Sequence, residues 1–170
     1  MNVFPLVVVM GVTGVGKSTL GQLLAARLGL AFADADDFHP AANVAKMSAG
    51  TPLADEDRWP WLDAIAAHLV AHRGRGAVVT CSALKRAYRD RLRTVVPELR
   101  LVFLYGEPEL VAARQAARQG HFMPPSLVAS QFATLEAPAL EEAAIALDVG
   151  QPPEVLAVAV IAALRGETMP

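Results

Sequence analysis

The residues from Gly11 to Ser18 have the types and spacing of a phosphate-binding loop. They fit the pattern G-x-x-x-x-G-K-[ST], whose glycines let backbone N–H groups approach phosphate oxygens without interference from Cβ atoms. Lys17 supplies a point charge for the outer phosphates, and Ser18 supplies a hydroxyl for Mg2+, which keeps several waters and takes few protein ligands. The pattern predicts a site for a nucleoside triphosphate with Mg2+. The loop residues expected to bind it are Gly11, Val12, Thr13, Gly14, Val15, Gly16, Lys17, Ser18 and Thr19.

The flanking sequence supports this interpretation. The apolar run Leu6–Met10 suits a strand that is buried on both faces, and leucines at helical spacing follow Lys17. A strand, a glycine-rich loop and a helix form the context in which the motif binds phosphate. A plain glycine-rich turn with a surface lysine is the alternative, and it leaves that context unexplained.

Three carboxylates follow the second apolar run, at Asp34, Asp36 and Asp37. Their mutual repulsion is costly unless a cation or a hydrogen-bond donor offsets it. We expect Asp34 to hold Mg2+ through water, and Asp36 to accept the proton of a substrate hydroxyl. The alternative is a helix cap or an Asx turn ahead of Pro40.

Cationic residues cluster where an anionic substrate is expected. Arg58 precedes a predicted helix, where a cation is disfavoured unless it has a partner. Lys85, Arg86 and Arg89 follow the third predicted strand. Ser82 lies at the end of that strand and is a candidate for substrate binding, although an N-cap role would also explain it.

Arg114 and Arg118 are four residues apart and share one face of a predicted helix. They precede a loop that contains Gly120 and His121, an arrangement that suits a lid over the site. Arginines aimed at a transferring phosphoryl group stabilise its charge, so both are catalytic candidates. A solvated helix face is the alternative for the arginines, and loop anchoring is the alternative for His121.

Composition restricts the class of protein. The chain of 170 residues fits one domain, and its net charge of −2 does not favour nucleic acid as a partner. No apolar run is long enough to span a membrane, and we expect a cytoplasmic protein. The single cysteine, Cys81, excludes an internal disulfide and is expected to pack as a small hydrophobe, as are Trp59 and Trp61.

Strand and helix patterns alternate along the chain. This predicts a three-layer α/β/α fold with a five-stranded parallel sheet. The predicted strands are Leu6–Met10, Ala31–Asp34, Gly76–Cys81, Leu99–Leu104 and Ile145–Val149. The predicted helices are Lys17–Leu28, Pro60–His72, Lys85–Val95, Pro108–Arg118, Pro125–Leu135 and Pro153–Leu164, several of them with proline in the first turn. We expect a substrate-binding insertion at about 36–58 and a lid at about 114–131.

Several segments in this order resemble gluconokinase. Beside the phosphate loop they are Asp34-x-Asp36-x-x-His39-Pro40, the stretch from Asn43 to Leu62, Cys81-Ser82-Ala83-Leu84-Lys85-x-x-Tyr88-Arg89-x-x-Leu92-Arg93, Gly120-His121-Phe122-Met123-Pro124, and Ser130-Gln131-Phe132-x-x-Leu135-Glu136-x-Pro138. The resemblance covers the chain from Gly11 to Pro138. One departure is Ala35, where the family pattern has glycine.

The resemblance implies a P-loop kinase of the nucleoside monophosphate kinase-like fold, often homodimeric. The implied reaction is ATP-dependent phosphorylation of D-gluconate to 6-phospho-D-gluconate, which feeds the pentose phosphate pathway. Asp36, His39, Lys46 and His121 would then contact the substrate. Which of Arg58, Lys85, Arg86 and Arg89 holds the carboxylate stays open. A kinase for shikimate or a nucleotide, or a regulatory nucleotide-binding module, remains the alternative.

Overall fold

Five parallel strands form the centre of the computed structural model, which describes residues 4–118 and 125–167. The order across the sheet is β2-β3-β1-β4-β5, so β1 lies in the middle. All five residues of β1 are buried, as expected for a parallel strand covered by helices on both faces. The strands are β1 (Leu6–Met10), β2 (Ala31–Asp34), β3 (Ala77–Thr80), β4 (Arg100–Tyr105) and β5 (Ile145–Asp148).

Helices cover the two faces of this sheet, and one core cluster fills the space on each side. The helices are α1 (Lys17–Leu28), α2 (Ala41–Ser48), α3 (Asp55–Ala71), α4 (Arg86–Val95), α5 (Pro108–Ala116), α6 (Pro125–Thr134) and α7 (Pro153–Leu164). Two short 3-10 helices span Ala35–Phe38 and Leu140–Glu142. Within the described residues, no helix combines the length and the apolar character needed to cross a bilayer.

The predicted fold class is confirmed, and each predicted strand matches an observed strand to within one residue at either end. The region 36–58, which fitted no core element, contains most of the first 3-10 helix, all of α2 and the first turn of α3. The predicted start of α3 at Pro60 is wrong, because this helix begins at Asp55.

The early start of α3 has a local cause. Asp55, Glu56 and Asp57 place negative charge at the positive end of the helix dipole. The Asp57 carboxylate also accepts a hydrogen bond from the backbone N–H of Ala54, at 2.8 Å. These contacts stabilise a turn ahead of Pro60, whose missing N–H then costs one internal hydrogen bond.

The sheet topology gathers the candidate residues at one edge. Strands β1, β3 and β2 are neighbours and run in the same direction, so the loops that follow them emerge together. In the register of the sheet, Thr80 pairs with Val9 on one side and with Asp34 on the other. The phosphate loop, the acid cluster and the segment after β3 therefore share the carboxyl edge.

A buried ion pair supports this edge from behind. Arg89 donates from Nε to Glu142 Oε1 at 2.7 Å and from Nη2 to Oε2 at 3.0 Å, and both side chains are almost inaccessible to solvent. Burial alone would raise the carboxyl pKa, but the paired guanidinium lowers the pKa of Glu142 from 4.5 to about 2. The stabilisation is therefore complete above pH 4.5 and is lost as the pH falls through about 2.

Arg89 also fixes the chain that follows β3. Its Nη1 donates to the carbonyl oxygens of Ala83 and Leu84, at 3.0 and 3.2 Å. Ala83 has a φ of 44°, a left-handed conformation that a residue with a Cβ rarely adopts. The expectation that Arg89 binds substrate is therefore corrected: its side chain is buried and paired, and it supports the segment that carries Ser82 and Lys85.

We predict that Arg89→Gln lowers the free energy of unfolding by up to about 3–5 kcal/mol, because buried Glu142 loses its bidentate partner and keeps only Arg93, at 3.2 Å, and the Ala139 N–H. Urea unfolding measures the change. The control is Arg91→Gln, which removes an exposed pair with Asp63 and should cost at most about 1 kcal/mol. Unchanged stability together with weaker substrate binding would return Arg89 to the binding site.

Candidate active site

The phosphate loop joins β1 to α1, and its lysine is held by the loop itself. Lys17 Nζ donates to the carbonyl oxygens of Gly11 and Val12, at 3.0 Å each. Gly16 caps the N-terminus of α1 with a φ of 101°. The amides at the start of the helix and the ammonium group therefore converge on one concave surface, as phosphate binding requires.

The three loop glycines serve different purposes. A Cβ at Gly11 would lie 2.6 Å from the Leu104 carbonyl oxygen, and one at Gly14 would lie 2.9 Å from Gln115 Oε1. A Cβ at Gly16 would have no atom within 4 Å. We expected all three to clear space for phosphate, but Gly11 and Gly14 make room for neighbouring protein atoms, and only Gly16 faces open space.

Burial of the Lys17 ammonium lowers its pKa from 10.5 to about 8. Asp34 and Asp36 oppose the shift by attraction, whereas nearby Arg118 adds to it. The Cys81 thiol also lies close by, but its own burial raises its pKa to about 12. Cys81 is therefore a neutral packing residue near neutral pH, as predicted, and it is not an activated nucleophile.

Asp34 has the capping role that the sequence offered as the alternative to a magnesium role. Its Oδ1 accepts a hydrogen bond from Asp36 N at 2.9 Å, which caps the 3-10 helix Ala35–Phe38. Burial and repulsion by Asp34 raise the pKa of Asp36, while His39 and Lys17 partly offset the rise. A raised pKa makes Asp36 a better proton acceptor than an exposed aspartate.

The departure from the family pattern at Ala35 is accommodated. Ala35 is buried in the 3-10 helix, and its carbonyl oxygen accepts a hydrogen bond from Trp61 Nε1 at 2.7 Å. Among the described residues other than glycine, only Ala83 and Ala143 have positive φ. The methyl group at position 35 therefore imposes no backbone strain, and Trp61 is the packing residue that the sequence predicted.

The surroundings of Asp34 fit a hydrated Mg2+ ion. Its register partner Thr80 has a buried hydroxyl with no hydrogen-bond partner among the described residues. The Thr80 methyl carbon lies against Gly21 on α1. Because an unsatisfied buried hydroxyl is costly, a metal-bound water between Ser18, Asp34 and Thr80 would satisfy it. Within residues 4–118 and 125–167, no cluster of three His, Cys, Asp or Glu side chains forms an all-protein metal cage.

His39 is held on the insertion in a defined orientation. Its ring stacks on Trp61 with a centroid separation of 4.4 Å and an interplanar angle of 8°. The Asn43 amide nitrogen lies 3.2 Å from His39 Nδ1 and also donates to the Asp57 carbonyl oxygen at 2.8 Å. Burial lowers the pKa of His39. In the neutral ring, Nδ1 accepts a hydrogen bond from the Asn43 amide, and the ring proton is on Nε2.

Most of the candidate cations already have acidic partners. Lys46 contacts Asp57 at 2.8 Å, and Lys85 contacts Asp55 at 3.0 Å. The Asp55 carboxylate also accepts a hydrogen bond from the Tyr88 hydroxyl, at 2.5 Å. Arg86 contacts Glu141 at 2.6 Å. Each of these positive charges is therefore partly neutralised within the protein.

Arg58 is the exception. It has no carboxylate within salt-bridge distance in the described part of the chain, and its guanidinium lies over the Tyr88 ring, 5.6 Å from the centroid. Its charge helps lower the pKa values of His39, Asp55 and Asp57, so it lies among these three side chains. Of the four cations considered for the substrate carboxylate, Arg58 has the charge that is free to bind it.

Ser82 connects the third strand to the phosphate loop. Its carbonyl oxygen accepts a hydrogen bond from Gly11 N at 3.3 Å. The N-cap alternative for Ser82 is wrong, because Lys85 occupies that position before α4. The half-buried Ser82 side chain stays a candidate for substrate binding.

Arg114 on α5 and Arg118, which follows the end of this helix, have different surroundings. Arg114 lines a cavity of about 380 Å³ beside the phosphate loop, together with Gly16, Thr19 and the segment 149–153. Arg118 lies near enough to Lys17 to lower the pKa of that lysine. Arg118 therefore lies close to the charged end of the loop. His121 lies outside the described residues.

Sequence reasoning missed several residues of this site. Asn43, Asp55 and Tyr88 fall within the segments of the family resemblance but received no role. Thr80 and the cavity segment 149–153 carry no motif. Their contribution depends on contacts between distant parts of the chain, which spacing along the sequence does not reveal.

Comparison with known proteins agrees with this geometry. Residues 6–138 match the family described as "AAA domain". The chain is 47% identical to the gluconokinase of Gluconobacter oxydans over 153 residues, covering 88% of this chain and 85% of the relative. It is 44% identical to the thermosensitive gluconokinase of Escherichia coli over 137 residues, covering 79% and 73%. The crystal structure of a gluconokinase from Sinorhizobium meliloti superposes with a TM-score of 0.86 at 46% identity, covering 95% and 92%.

The fold and the phosphate loop define a P-loop kinase. The level and extent of these identities narrow the class further. The chain belongs to the gluconokinase family, within the group described by the AAA domain family.

We predict that kcat/KM for ATP falls at alkaline pH. The neutral amine of Lys17 has no charge to offer phosphate, so kcat/KM for ATP should be constant from neutral pH up to about 8 and should fall about tenfold per pH unit above it. Steady-state kinetics across this range measures the fall. Lys17→Arg is the control, because a guanidinium stays charged throughout. A wild-type profile that stays flat well above pH 8 would contradict the lowered pKa.

Proposed function

We propose that this protein transfers the terminal phosphoryl group of ATP to a hydroxyl of D-gluconate and releases 6-phospho-D-gluconate. The supporting observation is the division of charge at the carboxyl edge of the sheet. Lys17 and the loop amides offer binding to a polyanion on one side. On the other side, Asp36 offers a base and His39 offers a neutral hydrogen-bond donor. Arg58 offers a cation that has no acidic partner among the described residues.

Asp36 is the proposed general base. Its raised pKa and its position close to Lys17 suit a carboxylate that accepts the proton of the attacking hydroxyl. Lys17 neutralises charge on the phosphates, which is the main source of catalysis in this reaction class. Mg2+ supplies further charge neutralisation when bound, and Ser18, Asp34 and Thr80 are the residues that would hold its water shell.

The nucleoside would occupy the cavity beside the loop. This cavity is lined largely by apolar residues, and Arg114 is the charged side chain on its wall. A planar guanidinium stacks well on a flat ring, so Arg114 is assigned to the base of ATP rather than to the moving phosphoryl group. Arg118 keeps the proposed role of stabilising transition-state charge, because it lies close to Lys17.

The acceptor site matches a polyhydroxy monocarboxylate. Arg58 would bind the carboxylate, and the Nε2–H of His39 and the Asp36 carboxylate would bind hydroxyls. Four further residues stay proposed substrate contacts, but with lower priority than Arg58, because all except Ser82 already have acidic partners. They are Lys46, Ser82, Lys85 and Arg86.

Cytoplasmic location and a homodimer are also proposed. ATP as a substrate and a free buried cysteine are typical of the cytoplasm. Val155 and Val158 on α7 are more than half exposed, and they provide apolar surface that a second copy would cover. Sedimentation measures the assembly state directly.

A panel of acceptors tests the function. With ATP and Mg2+, ADP release should be fastest in kcat/KM with D-gluconate and far slower with shikimate or nucleoside monophosphates. Asp36→Asn should lower kcat by about 10²- to 10⁴-fold, because the general base is lost. Nucleotide binding without transfer to any polyhydroxy acid would instead favour a regulatory module.

We predict that Arg58→Gln raises KM for gluconate roughly 10- to 100-fold, as expected when a hydrogen bond to a charged group is lost. The value of kcat should change little if Arg58 contributes uniform binding. Sorbitol, in which a CH2OH group replaces the carboxylate, should bind the variant and the wild type alike. Arg91→Gln is the control, since Arg91 is paired with Asp63 and has no proposed contact with substrate. An equal rise in KM in both variants would refute the assignment.

A further inference from the structure

One amide of the phosphate loop is occupied by a side chain from a distant helix. Thr13 N donates to Gln131 Oε1 at 2.6 Å, and the two residues are 118 positions apart. Gln131 lies on α6, which packs against α5. It has no assigned role in binding or catalysis.

The same peptide group also contacts Lys17. The Val12–Thr13 peptide presents its N–H to Gln131 and its carbonyl oxygen to Lys17 Nζ, at 3.0 Å. In a trans peptide the N–H and the C=O point in opposite directions, so fixing one fixes the other. Together with the longer hydrogen bond from Val15 N to Val12 O, at 3.4 Å, Gln131 therefore fixes the orientation of one of the two carbonyl groups that hold the ammonium of Lys17.

We propose that Gln131 is a positioning residue: by holding the Thr13 amide, it keeps the Val12 carbonyl directed at Lys17 and keeps the phosphate loop in its binding shape. The inference rests on nucleotide binding by the loop and does not depend on the identity of the acceptor.

A second contact from the neighbouring helix fits this role. Gln115 on α5 is buried, and its side chain fills the space where a Cβ of Gly14 would lie. Thr13 and Gly14 are thus each contacted by a glutamine from the helix pair α5 and α6. Gln115 acts by packing, whereas Gln131 acts through a directional hydrogen bond, so only Gln131 controls the orientation of a peptide.

Loss of this hydrogen bond should loosen the loop without removing any group that binds nucleotide. In a Gln131 variant the Thr13 N–H loses its acceptor, and the Val12 carbonyl keeps only its contacts with Val15 N and Lys17 Nζ. A positioning role therefore predicts weaker MgATP binding together with faster hydrogen exchange at the Thr13 amide.

The test is calorimetric titration of MgATP at neutral pH, without any acceptor. Gln131→Met keeps the size of the side chain and removes the acceptor. We expect an affinity lower by on the order of tenfold, the effect of one hydrogen bond. Gln131→Glu keeps an acceptor oxygen at this position, so it should retain the hydrogen bond to Thr13 N.

The neighbouring, exposed Ser130 provides the control, and Ser130→Ala should leave the affinity for MgATP unchanged. Hydrogen exchange of the Thr13 amide gives a second readout. The amide should be protected in the free wild type, and protection should be lost in Gln131→Met and kept in Gln131→Glu. An exposed Thr13 amide in the wild type, or a Gln131→Met affinity equal to that of the wild type, would overturn the proposal. Failure of gluconate turnover would leave both measurements intact.

Discussion

The charges at the carboxyl edge of the sheet must be balanced, and this constraint organises the molecule. Burial disfavours the charged form of Lys17, and the loop carbonyls, Asp34 and Asp36 counteract that penalty. Three other cations near this edge are neutralised by partners within the chain: Lys46, Lys85 and Arg86. Lys17 and Arg58 form no salt bridge with another residue of the described chain, and the pKa of Asp36 is raised. Ligand charge and ligand hydroxyls are what would complete their interactions.

The scaffold behind this edge is itself held by polar contacts. Glu142 accepts hydrogen bonds from Arg89 and from Ala139 N, and Glu136 accepts one from Arg86 N. These contacts join the 136–142 segment to the turn after β3. A buried pair of this kind fixes geometry more than it adds net stability, because desolvation offsets much of the attraction. Its structural effect is to hold Ala83 in its left-handed conformation and so to place Ser82 beside the loop.

Sequence patterns predicted the elements better than the contacts between them. The strands could be recognised because buried parallel strands are continuous apolar runs. The phosphate loop could be recognised because its glycines and lysine have fixed spacing. The start of α3 was missed because three acids and the hydrogen bond from Ala54 N to the Asp57 carboxylate outweigh Pro60. The role of Arg89 was missed because its partner lies 53 residues away. A guanidinium that binds substrate and one buried against a glutamate have the same local sequence.

The arrangement of ion pairs on the insertion also bears on which acceptor fits. A nucleoside monophosphate would bring a dianionic phosphate, which favours several uncompensated cations and bidentate arginine contacts. Here Asp57 neutralises Lys46, and Asp55 neutralises Lys85 while also bonding to Tyr88. One free guanidinium at Arg58, beside a neutral histidine and a carboxylate, matches a single negative charge followed by hydroxyls. The acids at the start of α3 therefore have two effects: they stabilise the helix, and they reduce the positive charge of the acceptor site to the level that a sugar acid needs.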